Sequence, residues 1–126
     1  MSTPTIIVEL IADYNILKMI WGPQVEEHDI AVAFRSIAST LKKSEYPIDV
    51  IVDISSNPHF PMQTVISEAL SGPFNYPHMG TWVVVGTSRA AHIVSNVLNR
   101  LSGQEKVFRF STQEEALSHL AAHQNR

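Results

Sequence analysis

The chain has no cysteine among its 126 residues. Disulfides, thiolate nucleophiles and zinc–thiolate sites are therefore excluded. Positive charge is scarce as well. Nine Lys and Arg stand against twelve Asp and Glu, for a net charge of −3. No basic field exists to attract nucleic acid, so none is expected as a partner. Apolar runs are short, and none approaches the ~20 residues of a membrane helix. The opening "MSTPTIIVELIAD" lacks the basic start and long apolar stretch of a secretory signal. A cytoplasmic protein is the expectation. Repeats, low-complexity tracts and charged tails are also missing. What remains is an ordinary globular composition, 44% hydrophobic and 17% charged. Its length predicts one domain, residues 1–126.

The pattern alternates strands and helices. "TIIVELIA" (Thr5 to Ala12) and "ILKMIW" (Ile16 to Trp21) flank the turn residues Asp13 to Asn15 and predict an antiparallel hairpin. Gly22 and Pro23 end it. From about Val25 to Lys43, Ile30, Phe34, Ile37 and Leu41 recur at helical spacing. Glu26, Glu27 and Asp29 open that helix and Lys42 and Lys43 close it, the charge order the helix dipole favours. "IDVIVDI" (Ile48 to Ile54) and "TWVVVG" (Thr81 to Gly86) are short and almost wholly apolar, as strands covered on both faces are.

"MQTVISEAL" (Met62 to Leu70) is a short helix candidate. Ser88 to Leu101 is a stronger one, with Ile93, Val97, Leu98 and Leu101 as its apolar side and Gly103 as its stop. "KVFRF" (Lys106 to Phe110) alternates like a half-buried strand. Thr112 and Glu115 form a capping-box pattern for a last helix that would bury Ala116, Leu117 and Leu120. The predicted order is β-β-α-β-α-β-α-β-α, an α/β fold with a mixed, mostly parallel sheet of about five strands.

In its order of elements the chain resembles the STAS fold of anti-sigma-factor antagonists, in particular the shorter SpoIIAA-like proteins. That fold is itself related to the CRAL-TRIO lipid-binding domains. "IWGPQVEEHDI", "VIVDIS", "WVVVGTS" and "VFRFSTQEEALSHL" carry the likeness, which spans about Thr5 to Leu120. The resemblance implies a regulatory or protein-interaction module and no reaction. Regulatory members keep a phosphorylated serine in a D-S-S-G-like motif at the start of the helix after the third strand. Here that region reads "NPHFPMQ", with no serine. The fold carries over and the phosphoserine does not.

Candidate chemistry is sparse. Asp53 sits at the carboxyl end of a central strand, where α/β proteins place ligand sites. A phosphoaspartate there needs neighbouring acids and a lysine, and the strand ends supply only Asp13. The plainer reading is a turn in which Asp53 bonds its own loop. Ser55 and Ser56 are candidate phosphate acceptors or, more plainly, turn residues. Thr87 and Ser88 in "GTSRA" either lend free amides to an anion beside Arg89 or simply cap the next helix. His119 and His123 share chelating spacing with Glu115, but a solvated helix face is the plainer reading. His28, His59, His78 and His92 have no evident catalytic partner, and no G-x-S-x-G is present. No catalytic residue, metal or cofactor is expected.

The most distinctive stretch runs from Pro58 to Gly80. It holds four prolines together with His59, Phe60, Met62, Phe74, Tyr76 and Met79. It is core filler, an apolar lid, or a docking patch. The expected partner is accordingly a protein or a second copy of the chain. The alternative is a small apolar ligand or lipid under a lid made by residues 58–80.

Overall fold

The computed structural model describes residues 6–11, 15–57, 60–103 and 105–124, the last two without their side chains. The hairpin comes first, with β1 at Ile6–Ile11 and β2 at Ile16–Trp21. Asn15 takes a left-handed φ of 52° as the chain enters β2. Asp13 lies outside the described residues. There follow α1 (Glu27–Lys43), β3 (Ile48–Asp53), α2 (Met62–Ser71), a 3₁₀ turn (Pro73–Asn75), β4 (Met79–Val85), α3 (Arg89–Ser102), β5 (Val107–Phe110) and α4 (Gln113–Gln124).

The strands lie side by side in chain order, β1-β2-β3-β4-β5. β1 runs antiparallel to β2, and every later pair is parallel. This is the predicted α/β fold with a five-stranded mixed sheet. Stepping in one direction with crossovers of one hand puts successive helices on the same face. Accordingly α1 packs on α2 and α2 on α3. The fourth helix follows the last strand and folds back over the opposite face, against β3, β4 and β5.

Period-two alternation sorts each strand between these two faces. Leu17, Met19, Trp21, Val50, Val52, Trp82, Val84 and Val107 point into the three-helix layer. Ile16, Ile51, Val83 and Val85 point the other way, toward Ala116 and Leu120 of α4. All of β3 is buried, as a strand covered on both faces must be. In α1 the predicted stripe of Ile30, Phe34, Ile37 and Leu41 faces the sheet.

The side of α3 differs from the sequence expectation. Ala91, Val94, Ser95 and Leu98 are its buried positions. Ile93 and Leu101 are instead 40% and 59% exposed. The sheet is close here, so the small residues Ala91 and Ser95 face inward. The Ser95 hydroxyl donates to the Ala91 carbonyl at 2.8 Å, which satisfies it without a tertiary partner. Gly103 ends the helix as expected, with φ 68°.

Candidate functional site

The carboxyl ends of the parallel strands gather most of the candidate residues. Asp53 closes β3 and is buried. Its Oδ1 accepts from the Ser55 backbone N–H at 2.9 Å and from the Ser55 hydroxyl at 2.5 Å. Its Oδ2 accepts from Nε2 of Gln113, the first residue of α4. On the far side of that carboxamide, Gln113 Oε1 accepts from Lys18 Nζ of β2 at 3.1 Å. Lys18 in turn lies 3.9 Å from Glu9 of β1. A polar chain thus runs Glu9–Lys18–Gln113–Asp53–Ser55 across three strands and a helix start.

The lysine missing from the strand ends therefore arrives from inside β2. It reaches Gln113 rather than Asp53. Asp53 accepts three hydrogen bonds, two of them from its own loop, which is the turn architecture expected of an aspartate at a strand exit. Ser55 and Ser56 are exposed. Asn57 is buried, and its N–H donates to the Ile54 carbonyl at 3.0 Å, which tightens the same turn.

The neighbouring loop after β4 is closed in a similar way. The Ser88 hydroxyl caps α3 by accepting from the Ala91 N–H at 3.2 Å. Arg109 of β5 donates to the Gly86 carbonyl at 2.8 Å. A Cβ at Gly86 would stand 3.4 Å from both Ala91 and Ile54, so the loop packs directly on the strand exit of β3. Thr87 and Arg89 point to solvent. Of the two readings of "GTSRA", helix capping is the one the hydrogen bonds display.

The large apolar residues between Phe60 and Gly80 belong to the core, while Gln63, Ser67, Asn75 and Pro77 of the same stretch are exposed. Phe60 and Phe74 are each 7% exposed and Met79 is 2% exposed, which leaves neither aromatic available for a docking face. Five rings join in a row. Phe60 meets Trp21 at 5.9 Å, Trp21 meets Phe34 at 6.4 Å, Phe34 meets Trp82 at 5.7 Å, and Trp82 meets Phe74 at 5.1 Å. The first three pairs are edge-on and the last is tilted, and aromatic pairs of this kind each add about 0.5–1.5 kcal/mol beyond area burial. Met62 and Tyr76 are half-buried against the same cluster. Of the three readings of this stretch, core filler is the one that the burial of Phe60 and Phe74 displays. The rings fill the space between the helices and the sheet. His59 lies outside the described residues.

The histidines divide. The His119 ring lies 4.8 Å from Phe108 and 5.1 Å from Phe110, half-buried between them rather than on a solvated face. The side chain of His123 is outside the described set. His78 Nδ1 lies 2.7 Å from the Ser44 carbonyl, while His28 and His92 are exposed. Among the described residues no group of three or more His, Asp or Glu is placed to hold a metal ion. No described helix is long and apolar enough to cross a membrane.

Sequence reasoning missed a second buried carboxylate. Asp49 Oδ1 accepts from the Thr81 N–H at 2.7 Å, at the point where the β3–β4 register slips. Two surface grooves were also invisible in the sequence. One, of about 450 Å³, lies between α1 and α2 and is lined by Glu27, His28, Ala31, Gln63, Thr64 and Ser67. The other, of about 430 Å³, lies between β1 and α1. Comparisons with protein-family models, curated proteins and solved structures found no match.

Proposed function

We propose that the chain is a non-catalytic, STAS-like regulatory or protein-interaction module of the cytoplasm, working without the family's phosphoserine. One observation carries this reading. The polar groups at the carboxyl edge, where an α/β enzyme keeps its chemistry, bond one another. Asp53 is held by Ser55 and Gln113, Lys18 by Gln113 and Glu9, and Arg109 by the Gly86 carbonyl. Burial of Phe60 and Phe74 argues against a carrier whose lid opens over an apolar ligand.

The groove between α1 and α2 is the surface this reading favours. It sits at the first turns of α2, where regulatory relatives carry their switch. In this chain those turns present Gln63, Thr64 and Ser67 to the groove, with Glu27 and His28 opposite. The test is quantitative cross-linking in extract of the source cell. Gln63 and Ser67 are exposed, so Gln63→Arg with Ser67→Arg leaves the fold intact. The reading expects a protein cross-linked to the wild type and lost from the double variant. Equal yields of the same partners from both would refute it.

A further inference from the structure

The two edges of the sheet are treated differently. At one edge, β5 turns its Lys106 and Phe110 carbonyls toward β4, where they accept from Trp82 and Gly86 at 2.8 and 3.0 Å. The N–H and C=O of Val107 therefore point outward. Both are taken by one side chain. Asn99 of α3 accepts from the Val107 N–H at 3.0 Å and donates to its carbonyl at 2.8 Å. An unpaired edge is a template for another strand, and Asn99 blunts this one.

The other edge, β1, has no such cover. Its six residues pair with β2 without a bulge, from Ile6↔Trp21 to Ile11↔Ile16. It contains no proline, glycine or lysine. Among the described residues, none bonds the outward N–H and C=O groups of β1. Its one charge, Glu9, leans toward Lys18 on the inner neighbour. Exposed apolar side chains cluster here. Ile7 is 43% exposed, Leu10 57%, and Val32 of the adjoining α1 52%.

We infer that β1 is a self-association edge, at which a second copy of this chain adds its own β1 antiparallel to make one continuous ten-stranded sheet. The register follows from the alternation. Ile6 and Val8 pack toward the helix layer and Ile11 toward α4, so even and odd positions occupy opposite faces. Opposed residues of an antiparallel pair share a face, so the two-fold axis must pass through a residue. An axis at Glu9 would set two carboxylates against each other. An axis at Val8 sets Val8 on Val8 and Ile6 on Leu10 of the second copy, an unbroken apolar ladder on the helix side. On the other face it sets Ile7 beside Glu9. The groove between β1 and α1, lined by Ile6, Val8 and Val32, then opens onto the seam between two α1 helices. A strand is the occupant because the free groups are backbone donors and acceptors at strand spacing.

The β1 edge adjoins the α1–α2 groove only at His28, and neither Gln63 nor Ser67 lines the β1 side, so the two readings are tested by different variants. Sedimentation velocity of the full chain at high micromolar concentration should give twice the 14.0 kDa chain mass. Leu10→Lys, at an exposed position that the fold does not need, should weaken association at least about tenfold, since it places a charge in the ladder twice. The absence of native cysteine makes the register directly readable. Val8→Cys should oxidise to a disulfide-linked dimer. Leu10→Cys should not, because two copies of position 10 would lie about 14 Å apart. A wild type monomeric at every concentration overturns the inference, as does a dimer indifferent to Leu10→Lys. Linkage through Leu10→Cys, or none through Val8→Cys, overturns the register.

Discussion

Replacing Gly80 by alanine should destabilise the protein, against the usual sign for such a change in a strand. Glycine normally weakens a strand, and Gly→Ala at a compatible site stabilises by about 0.4–1 kcal/mol. Position 80 is not compatible. Between Ile48↔Met79 and Val50↔Trp82, β4 advances three residues while β3 advances two. The slip leaves the Thr81 N–H without a ladder carbonyl. Asp49 Oδ1 accepts it instead, at 2.7 Å, and both residues are buried. A Cβ on residue 80 would overlap that same oxygen and stand 3.2 Å from the Ile48 carbonyl. The carboxylate must move, which costs a charge-assisted hydrogen bond and strands a buried N–H. The expected loss is about 2–3 kcal/mol. Asp49→Ala should cost a similar amount. The double variant should cost less than the sum by about 1–2 kcal/mol, because the second change no longer meets the oxygen it displaced. Urea unfolding followed by tryptophan fluorescence suits the measurement, since Trp21 and Trp82 are both 1% exposed. A neutral Gly80→Ala, or additive costs, would refute the reasoning.

Three other outcomes are expected. Asp53→Ala should lower unfolding free energy by about 2–3 kcal/mol and Gln113→Ala by about 1–2 kcal/mol, non-additively, because each leaves the other's partner unmatched; additive losses in urea would contradict the shared cluster. Phe74→Ala should cost about 3–5 kcal/mol and weaken the near-ultraviolet dichroism of Trp82, as removal of a ring 5.1 Å away from it requires. A loss below ~1 kcal/mol would place Phe74 outside the core. Asn99→Ala should uncover the β5 edge and raise light scattering on mild heating, with unchanged scattering as the contrary result.

The fold was legible where the sequence pattern had one physical cause. The β-branched runs at Ile48 to Ile54 and Thr81 to Gly86 read as doubly covered strands because nothing polar interrupts their central residues. The α1 stripe was legible because the large apolar residues Ile30, Phe34, Ile37 and Leu41 all face inward. In α3 those two properties separate. The sheet demands small residues at Ala91 and Ser95, so size marks the wrong side and Ile93 and Leu101 face outward. Residues 60–79 were ambiguous because core filler and docking patch have the same composition. Only the spatial row of Phe60, Trp21, Phe34, Trp82 and Phe74 separates them.

At the candidate site, Asp53 and its turn were legible, since an aspartate followed two residues later by serine carries its own local bonds. Lys18 and Gln113 were not. They are 95 residues apart in sequence, and only the return of α4 over the sheet brings them together. Asp49 and Gly80 did leave a trace, an aspartate and a glycine each inside an otherwise apolar strand. Either alone is compatible with a strand end, and their pairing becomes visible only once β3 and β4 are in register.

On the proposed reading the carboxyl edge is architecture and the protein acts by binding. The most direct test of that reading is intact-mass measurement after incubation with a phosphoryl donor such as acetyl phosphate, and separately with extract of the source cell. The wild type should gain no phosphoryl group at Asp53 or Ser55 in either case, because Asp53 is committed to the turn and to Gln113 and the Ser55 hydroxyl to Asp53. A phosphoryl adduct that Asp53→Asn or Ser55→Ala abolishes would contradict it.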